Sequence, residues 1–323
     1  MMGAMDSFWN RLEKPLFVIA PMADVTDPAY RSLIAEKGPP AVMWTEFVSA
    51  DGIYHTRETK KMPDAENPLL RDLRFSAREH PIVAQLFTSN PETMAYAAKH
   101  CASMGFDGID INMGCPDRSI EKQGAGAGMI KSPEKAIAVI EAAKTAGLPV
   151  SVKTRIGYNK ESIDEWIPKV LSTKPAALTV HLRTRKEMSL VPAHWDLLPR
   201  VVKLRDELSP ETLILGNGDV KDLDDARAKA EAAGADGIML GRAIFGNPWL
   251  FTGKKPEEIP MQERLEALVE LARRFEQLKP SKSFHILKKH VKAFVSGFDG
   301  AAELRAKLME AESAEVMARI VKE

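Results

Sequence analysis

The fold of this chain is decided by three short apolar runs: Ile82-Val-Ala-Gln-Leu-Phe87, Gly108-Ile-Asp-Ile-Asn112 and Val150-Ser-Val-Lys-Thr154. Each run has the length of a buried strand, and the stretches between them, Pro91–Met104 and Pro133–Ala146, have the apolar periodicity of amphipathic helices. Strands that alternate with helices pair in parallel. This part of the sequence therefore predicts consecutive β–α units.

The alternation continues on both sides of this segment. Amphipathic stretches lie at Ile163–Leu171 and Leu223–Ala233, and the other strand candidates are Leu16–Ala20, Ala41–Thr45, Ala177–His181, Leu213–Gly216 and Gly237–Leu240. Eight units over about 250 residues predict an α/β fold, a (β/α)₈ TIM barrel. A doubly wound open sheet is the alternative, but eight strands are many for it, and no Gly-x-Gly-x-x-Gly follows the first strand.

The pattern changes after the eighth strand. Lys254–Pro260 is polar with two prolines and is typical of a linker, whereas Met261–Glu323 has only helical periodicity, with breaks near Lys279–Ser283 and Gly297–Gly300. We therefore predict two domains, a barrel at residues 1–252 and a C-terminal all-helical domain at residues 253–323.

The composition is that of an ordinary globular protein, with 45% hydrophobic and 28% charged residues. No stretch is apolar enough to span a membrane, and Met1–Lys14 lacks the apolar run of a signal peptide. With two cysteines, Cys101 and Cys115, we expect a cytoplasmic monomer without a disulfide framework. The formal net charge is zero, so a nucleic acid would have to bind a local basic patch.

Catalytic groups of TIM barrels lie at the carboxyl ends of the strands. Seven of the eight predicted ends carry a polar or charged residue. Lys153 alone could be a solvated lysine and His181 alone a satisfied buried histidine, but their joint placement favours a functional site. The loops Gly216-Asn-Gly-Asp219 and Leu240-Gly-Arg242 are short, and loops in these two positions commonly bind a phosphate.

A phosphorylated cofactor such as FMN fits these strand ends, because Arg242 could pair with the phosphate. Lys153 would then lie near the N1–C2=O edge of the isoalloxazine, and Gln85 could hydrogen-bond to the ring edge. The alternative is that Gly218 and Gly241 only terminate strands.

Cys115 follows a predicted strand directly, so we expect a reactive thiol on a loop at the barrel mouth, whereas Cys101 lies within a predicted helix and is interpreted as packing. The stretch Gln123-Gly-Ala-Gly-Ala-Gly128 lacks the Lys-Ser/Thr ending of a phosphate-binding P-loop and predicts a flexible or closely packed loop. No Cys/His cluster has metal-ligand spacing, so we expect no structural metal.

Seven motifs occur in order along the chain: Ala20-Pro-Met-Ala-Asp-Val-Thr-Asp27, Gln85-Leu-Phe87, Asp110-Ile-Asn-Met-Gly-Cys-Pro116, Val152-Lys-Thr-Arg-Ile-Gly157, Thr179-Val-His-Leu-Arg-Thr-Arg185, Gly216-Asn-Gly-Asp219 and Leu240-Gly-Arg242. Together they resemble the tRNA-dihydrouridine synthases. The tail, with Lys288-Lys-His-Val-Lys292 and Gly300-Ala-Ala-Glu-Leu-Arg305, looks most like the bacterial B-type members.

The resemblance implies an FMN-binding barrel and a helical tRNA-binding domain. It implies reduction of a uracil C5=C6 bond, with NADPH reducing FMN, hydride passing from flavin N5 to C6, and Cys115 protonating C5. Asn112 would touch the uracil, and Arg183 and Arg185 would lie near substrate or cofactor. By matching position, the FMN contacts would be Pro21, Met22, Ala23, Gln85, Lys153, His181, Asn217, Gly218, Asp219, Gly241 and Arg242.

The chemistry of the residues agrees with these roles. Hydride at C6 leaves an enolate that needs a proton at C5, and a thiol with a pKa of about 8.5 is mostly protonated at neutral pH. The target base must be turned out of folded RNA, at a cost that other contacts have to offset. His285, Lys288, Lys289 and Lys292 have the spacing of one helix face and predict a phosphate-binding surface, with an ordinary solvated helix as the alternative.

Two departures from the family pattern stand out. Asp24 occupies a position where glycine is usual, and Glu187, Ser189 and Val191 replace the usual Gln…Tyr…Gly pattern in a loop that often faces the substrate. Two alternative functions are an ene-reductase or dihydroorotate-type enzyme on a similar barrel, which would not need the basic helical tail, and a non-catalytic RNA-binding module, which would leave Cys115 unexplained.

Overall fold

The computed structural model describes residues 7–323, and its centre is a barrel of parallel strands. The strands are β1 Leu16–Ile19, β2 Met43–Trp44, β3 Val48–Ser49, β4 Ile82–Phe87, β5 Gly108–Met113, β6 Val150–Arg155, β7 Ala177–His181, β8 Leu213–Asn217 and β9 Gly237–Leu240. Their order is β1-β9-β8-β7-β6-β5-β4-β2, and β3 also pairs with β4. The seam between β1 and β2 is bridged by the Ala41 N–H, which donates to the Phe17 carbonyl at 3.0 Å. The barrel is therefore nearly closed, and the predicted fold class is confirmed.

Helices surround the barrel and follow it. They are α1 Pro28–Lys37, α2 Ala50–Tyr54, α3 Pro68–Asp72, α4 Pro91–Ser103, α5 Arg118–Lys122, α6 Pro133–Lys144, α7 Ile163–Leu171, α8 Leu198–Leu208, α9 Leu223–Ala233, α10 Met261–Glu276, α11 Lys288–Phe294, α12 Ala301–Glu310 and α13 Ala314–Lys322. No helix in the described part of the chain is long and apolar enough to cross a membrane. We expect no signal peptide in Met1–Lys14, and residues 1–6 of this segment lie outside the described residues.

The barrel interior has two layers, because alternate residues of each strand point inward. The lower layer is apolar and includes Val18, Trp44, Leu213 and Leu215, each at most 7% exposed. Trp9 packs beneath it, with its ring centroid 5.8 Å from that of Trp44. The upper layer is polar. It contains Gln85, Asp110, Asn112, Ser151, Lys153, Thr179, His181 and Asn217.

The second barrel strand differs from the prediction. It is expected as one run, Ala41–Thr45, but it forms two ladders of two residues, β2 and β3, which pair with the lower and upper parts of β4. Between them, the Thr45 hydroxyl accepts a hydrogen bond from the Gln85 N–H at 3.0 Å and replaces the interrupted ladder. A side-chain hydrogen bond of this kind leaves no periodic signal in the sequence.

The C-terminal helices share the barrel's outer core. Leu268 and Leu271 of α10 belong to the same apolar cluster as Leu33 and Ile34 of α1, and α13 joins it through Met317. The boundary between two domains therefore stays a prediction. One further break, between α12 and α13, separates helices that the periodicity predicts as continuous.

Candidate active site

The loop after β5 holds Cys115 in a fixed position. The N–H groups of Gly114 and Cys115 donate to Asn112 Oδ1 at 3.1 and 2.9 Å. The Cys115 carbonyl accepts from the Ala127 N–H at 2.9 Å. Gly126 has φ +57°, and a Cβ there would lie 2.7 Å from the Cys115 carbonyl oxygen. The glycine-rich stretch is therefore a closely packed support for the cysteine.

The Cys115 thiol is half-buried beside Phe87 and Ile120. Burial raises the pKa of this thiol above its ordinary value. The thiol therefore stays protonated at neutral pH, as a proton donor requires.

A chain of hydrogen bonds runs from the barrel interior to this loop. Asp110 accepts from Ser151 Oγ and from Gln85 Nε2, both at 2.6 Å. Gln85 Oε1 in turn accepts from Asn112 Nδ2 at 3.0 Å. Burial raises the pKa of Asp110 to about 6. Because Asp110 accepts from the Gln85 amide, it fixes the orientation of that amide and, through it, of Asn112.

On the adjacent strand β6, Lys153 is in register with Asn112, and its Nζ donates to Asn217 Oδ1 of β8 at 3.2 Å. Burial lowers the pKa of Lys153 to about 8, with a smaller contribution from Arg155. Burial likewise holds the pKa of His181 well below its ordinary value, so its ring is neutral. Arg183 Nη1 lies 3.0 Å from His181 Nε2. A neutral ring can accept there only if its proton is on Nδ1.

Asp219 ties two arginine side chains to the loop after β8. Its carboxylate accepts from Arg183 and Arg242 and from the Ala193 N–H at 2.9 Å. The hydrogen bond from Arg183 lowers the pKa of Asp219. The Arg242 side chain is 68% exposed. A Cβ added to Gly241 would be in ordinary van der Waals contact, at 3.7 Å, with Ala20 Cβ and Met22 Sδ, so the first loop lies directly beside this glycine.

Comparison with known proteins gives a consistent result. A family model described as dihydrouridine synthase matches residues 18–323. A Staphylococcus aureus (strain Mu50) protein named probable tRNA-dihydrouridine synthase is 41% identical over 95% of this chain and 92% of its own length. A Bacillus subtilis (strain 168) protein named probable tRNA-dihydrouridine synthase 2 is 42% identical over 95% of this chain and 93% of its own.

The chain belongs to the dihydrouridine synthase family. The expected enzyme class, a flavin-dependent oxidoreductase, is confirmed by this membership. Among solved structures, morphinone reductase covers 76% of this chain and 86% of its own with a TM-score of 0.53 and 12% identity. A 2-naphthoyl-CoA reductase complex has the same TM-score with 10% identity and covers 73% of this chain and 49% of its own. At such identities the likeness shows the fold alone.

For this member of the dihydrouridine synthase family, most of the expected site residues lie at one end of the barrel. The first loop, with Pro21, Met22 and Ala23, is partly exposed there. The Met22 N–H donates to Thr26 Oγ1 at 2.9 Å, which fixes the loop next to Gly241. The individual roles of these residues stay predictions.

Arg183 and Arg185 both have hydrogen-bond partners within the chain, and their expected place near substrate or cofactor stays a prediction. Arg183 Nε donates to the Val191 carbonyl at 2.6 Å, and the rest of its guanidinium contacts His181 and Asp219. Arg185 Nε donates to both oxygens of Glu121, at 2.8 and 3.0 Å. The structure therefore favours an indirect role for both arginines, as supports of neighbouring groups. The sequence could not show the two acidic partners, because Asp219 and Glu121 are 36 and 64 residues away along the chain.

Sequence reasoning gave no individual role to Arg155. Its Nε donates to the Gly114 carbonyl at 2.7 Å, directly before Cys115. A signal did exist, since Ser151, Lys153 and Arg155 have the two-residue period of one strand face.

The predicted basic face differs in detail. His285 lies in a separate 3₁₀ turn, Phe284–Ile286, and α11 begins only at Lys288, because Leu287 turns into the core. Lys288 Nζ donates to the Met309 carbonyl at 2.6 Å, so this ammonium group already has a partner at the end of α12. Lys292 is exposed.

The Asp24 departure now has a structural context. Asp24 has φ +56°, the left-handed region that favours glycine, and its carboxylate lies 3.3 Å from Lys289 Nζ. Lys282 lies 3.9 Å from the same carboxylate and 3.1 Å from both Glu46 and Asp72, with its side chain 6% exposed. Asp24 thus links the first barrel loop to the C-terminal segment. Within the described residues, no group of three or more His, Cys, Asp or Glu side chains could hold a metal ion.

Proposed function

We propose that the protein reduces the C5=C6 bond of a uridine in tRNA to give dihydrouridine, with FMN as cofactor and NADPH as reductant. The observation that carries the proposal is the Cys115 thiol with its raised pKa, held on a rigid loop after β5 next to Lys153 of β6, with His181 on the following strand β7. The names of the relatives support tRNA as the substrate.

The residues at the barrel mouth fit an FMN molecule. Lys153 supplies a cation with one side-chain partner, Asn217, and His181 is neutral. The exposed guanidinium of Arg242 suits a phosphate. When bound, FMN would supply the hydride for C6 of the uracil.

The protein's own side chains would carry the rest of the reaction. Cys115 donates its proton to C5, and the raised pKa of its thiol keeps that proton available at neutral pH. Asn112 positions Cys115 through two backbone N–H groups, and its Nδ2 has one hydrogen left for a uracil oxygen. Lys153 remains largely cationic at neutral pH and stabilises negative charge in the site.

RNA would be held by the basic residues of α11. Lys292 is exposed, and Lys289 is about half exposed beside Asp24, so both can reach a phosphate. Lys288 contributes less, because it already bonds to Met309. A cytoplasmic location belongs to this proposal because tRNA is found there, and a monomer stays a prediction.

Mass spectrometry tests the proposal. An unmodified tRNA transcript is incubated with the protein, FMN and NADPH, digested and analysed for uridine mass. We expect a gain of about 2 Da, two hydrogen atoms, on one D-loop uridine. A parallel reaction without NADPH should leave the transcript unchanged. A complete reaction that leaves every uridine at its original mass would refute the proposal.

A further inference from the structure

The loop after β7 presents an apolar side chain to solvent close to Cys115. Leu190 is 84% exposed, the highest value among the large hydrophobic residues of the described chain, and Met188 is 39% exposed. Single exposed leucine residues are common on protein surfaces and need no explanation alone. The surroundings of this leucine are what distinguish it.

Hydrogen bonds hold the Leu190 loop in one conformation. The Leu190 N–H donates to the Glu187 carbonyl at 2.9 Å. The Glu187 carboxylate accepts from the Thr184 N–H at 2.7 Å and lies 3.0 Å from His194 Nε2. Met188 has φ +55°, a conformation that is costly for any residue with a side chain. Such strain persists only where the surroundings fix it, and it concentrates at functional sites.

Arg155 joins this loop to the cysteine loop. Its Nε donates to the Gly114 carbonyl, and its Nη1 donates to the carbonyls of Thr184 at 3.1 Å and Met188 at 3.0 Å. One buried guanidinium therefore fixes the position of Leu190 relative to Cys115. Arg185 adds a second connection, since it lies in the same loop and binds Glu121 of α5.

We infer that Leu190 enters the RNA base stack and fills the gap that the target uridine leaves when it turns into the barrel mouth. The inference rests on the proposed function, which requires an extruded base. Unstacking a base costs free energy, and other nucleic-acid-binding proteins offset it by inserting apolar side chains, leucine among them, between bases. A leucine on a rigid loop is suited to this role because little conformational freedom is lost when it inserts.

The test compares two transcripts of one tRNA. The first has the native sequence, and the second has mismatches beside the modified uridine, so that extrusion of the base costs less. We expect Leu190→Ala to lower kcat/KM about tenfold on the native transcript, because the variant loses the free energy that burial of the leucine side chain between bases would contribute. On the mismatched transcript the loss should be less than about threefold. Leu190→Met keeps an apolar side chain and should restore the rate.

Leu208→Ala is the matched control. Leu208 is also an exposed leucine, 46% exposed, but it lines a cavity of about 690 Å³ at the opposite end of the barrel. This variant should match the wild type on both transcripts. A Leu190→Ala protein that equals the wild type on the native transcript, or loses the same factor on both transcripts, overturns the inference. A wild-type protein that leaves the native transcript unmodified refutes the proposed function instead.

Discussion

The two ends of the barrel interior are formed by the same strands but differ in chemistry. Along β8, Leu213 and Leu215 face the apolar lower layer, and Asn217, two residues further, binds Lys153 in the upper layer. Close packing in the lower layer stabilises the fold. The buried polar groups of the upper layer lower that stability, because polar groups cost free energy when they leave water. The comparison teaches that stability and catalysis are separated along the barrel axis. Substitutions in the apolar layer should therefore spare the chemistry at the mouth.

The largest effect is expected at the upper end, from Cys115→Ala. Loss of a positioned proton donor should lower the rate of dihydrouridine formation about 10² to 10⁴-fold, while RNA affinity stays close to that of the wild type. The rate is measured by mass spectrometry of tRNA and the affinity by filter binding.

Cys101→Ala is the control for this variant, because it removes the same side chain from α4, away from the mouth. It should leave the rate per folded molecule unchanged. A Cys115→Ala protein with nearly the wild-type rate would show that another group protonates C5.

The next effect is expected at the lower end, from Leu215→Ala. Leu215 is fully buried, so a cavity should lower the free energy of unfolding by about 2–5 kcal/mol. Urea denaturation measures the loss, and the rate per folded molecule should stay at the wild-type value. If the rate fell with the stability, the two layers would not be independent.

The smallest effect concerns Asp110 and pH. Burial raises the pKa of this carboxyl from 3.8 to about 6, so its contribution to stability is greatest below its unfolded pKa and is lost as the pH rises through about 6. Asn cannot titrate. As the pH rises from about 4 to about 7, the free energy of unfolding of Asp110→Asn should therefore increase relative to that of the wild type. Urea denaturation across this range checks it, and a constant difference would contradict the assigned pKa.

Much of the fold could be predicted from the sequence. Ile82–Phe87, Ala177–His181 and Gly237–Leu240 have the bounds that their apolar runs predict, because buried parallel strands are mostly apolar segments. The break in the second strand could not be predicted, since it depends on the Thr45 side chain bonding to Gln85, far along the chain.

The candidate site could also be predicted only in part. Its location at the strand ends follows from the barrel topology, which brings Cys115 and Lys153 to one mouth. The partners of each side chain do not follow, because they depend on tertiary distances. Arg183 is the clearest example, since its hydrogen bond to Asp219 spans 36 residues and has no signal in the sequence.

The packing of Trp9 beneath the lower layer has a consequence for the order in which substrates bind during turnover. Within residues 7–323, Trp9 and the apolar layer above it close the lower end of the barrel, so the polar mouth is where molecules from solution reach Cys115. Under the proposed function, a nucleotide reductant and a bulky RNA would then enter through the same barrel mouth and could not occupy it together. Such an enzyme follows ping-pong kinetics, in which double-reciprocal plots for the two substrates give parallel lines.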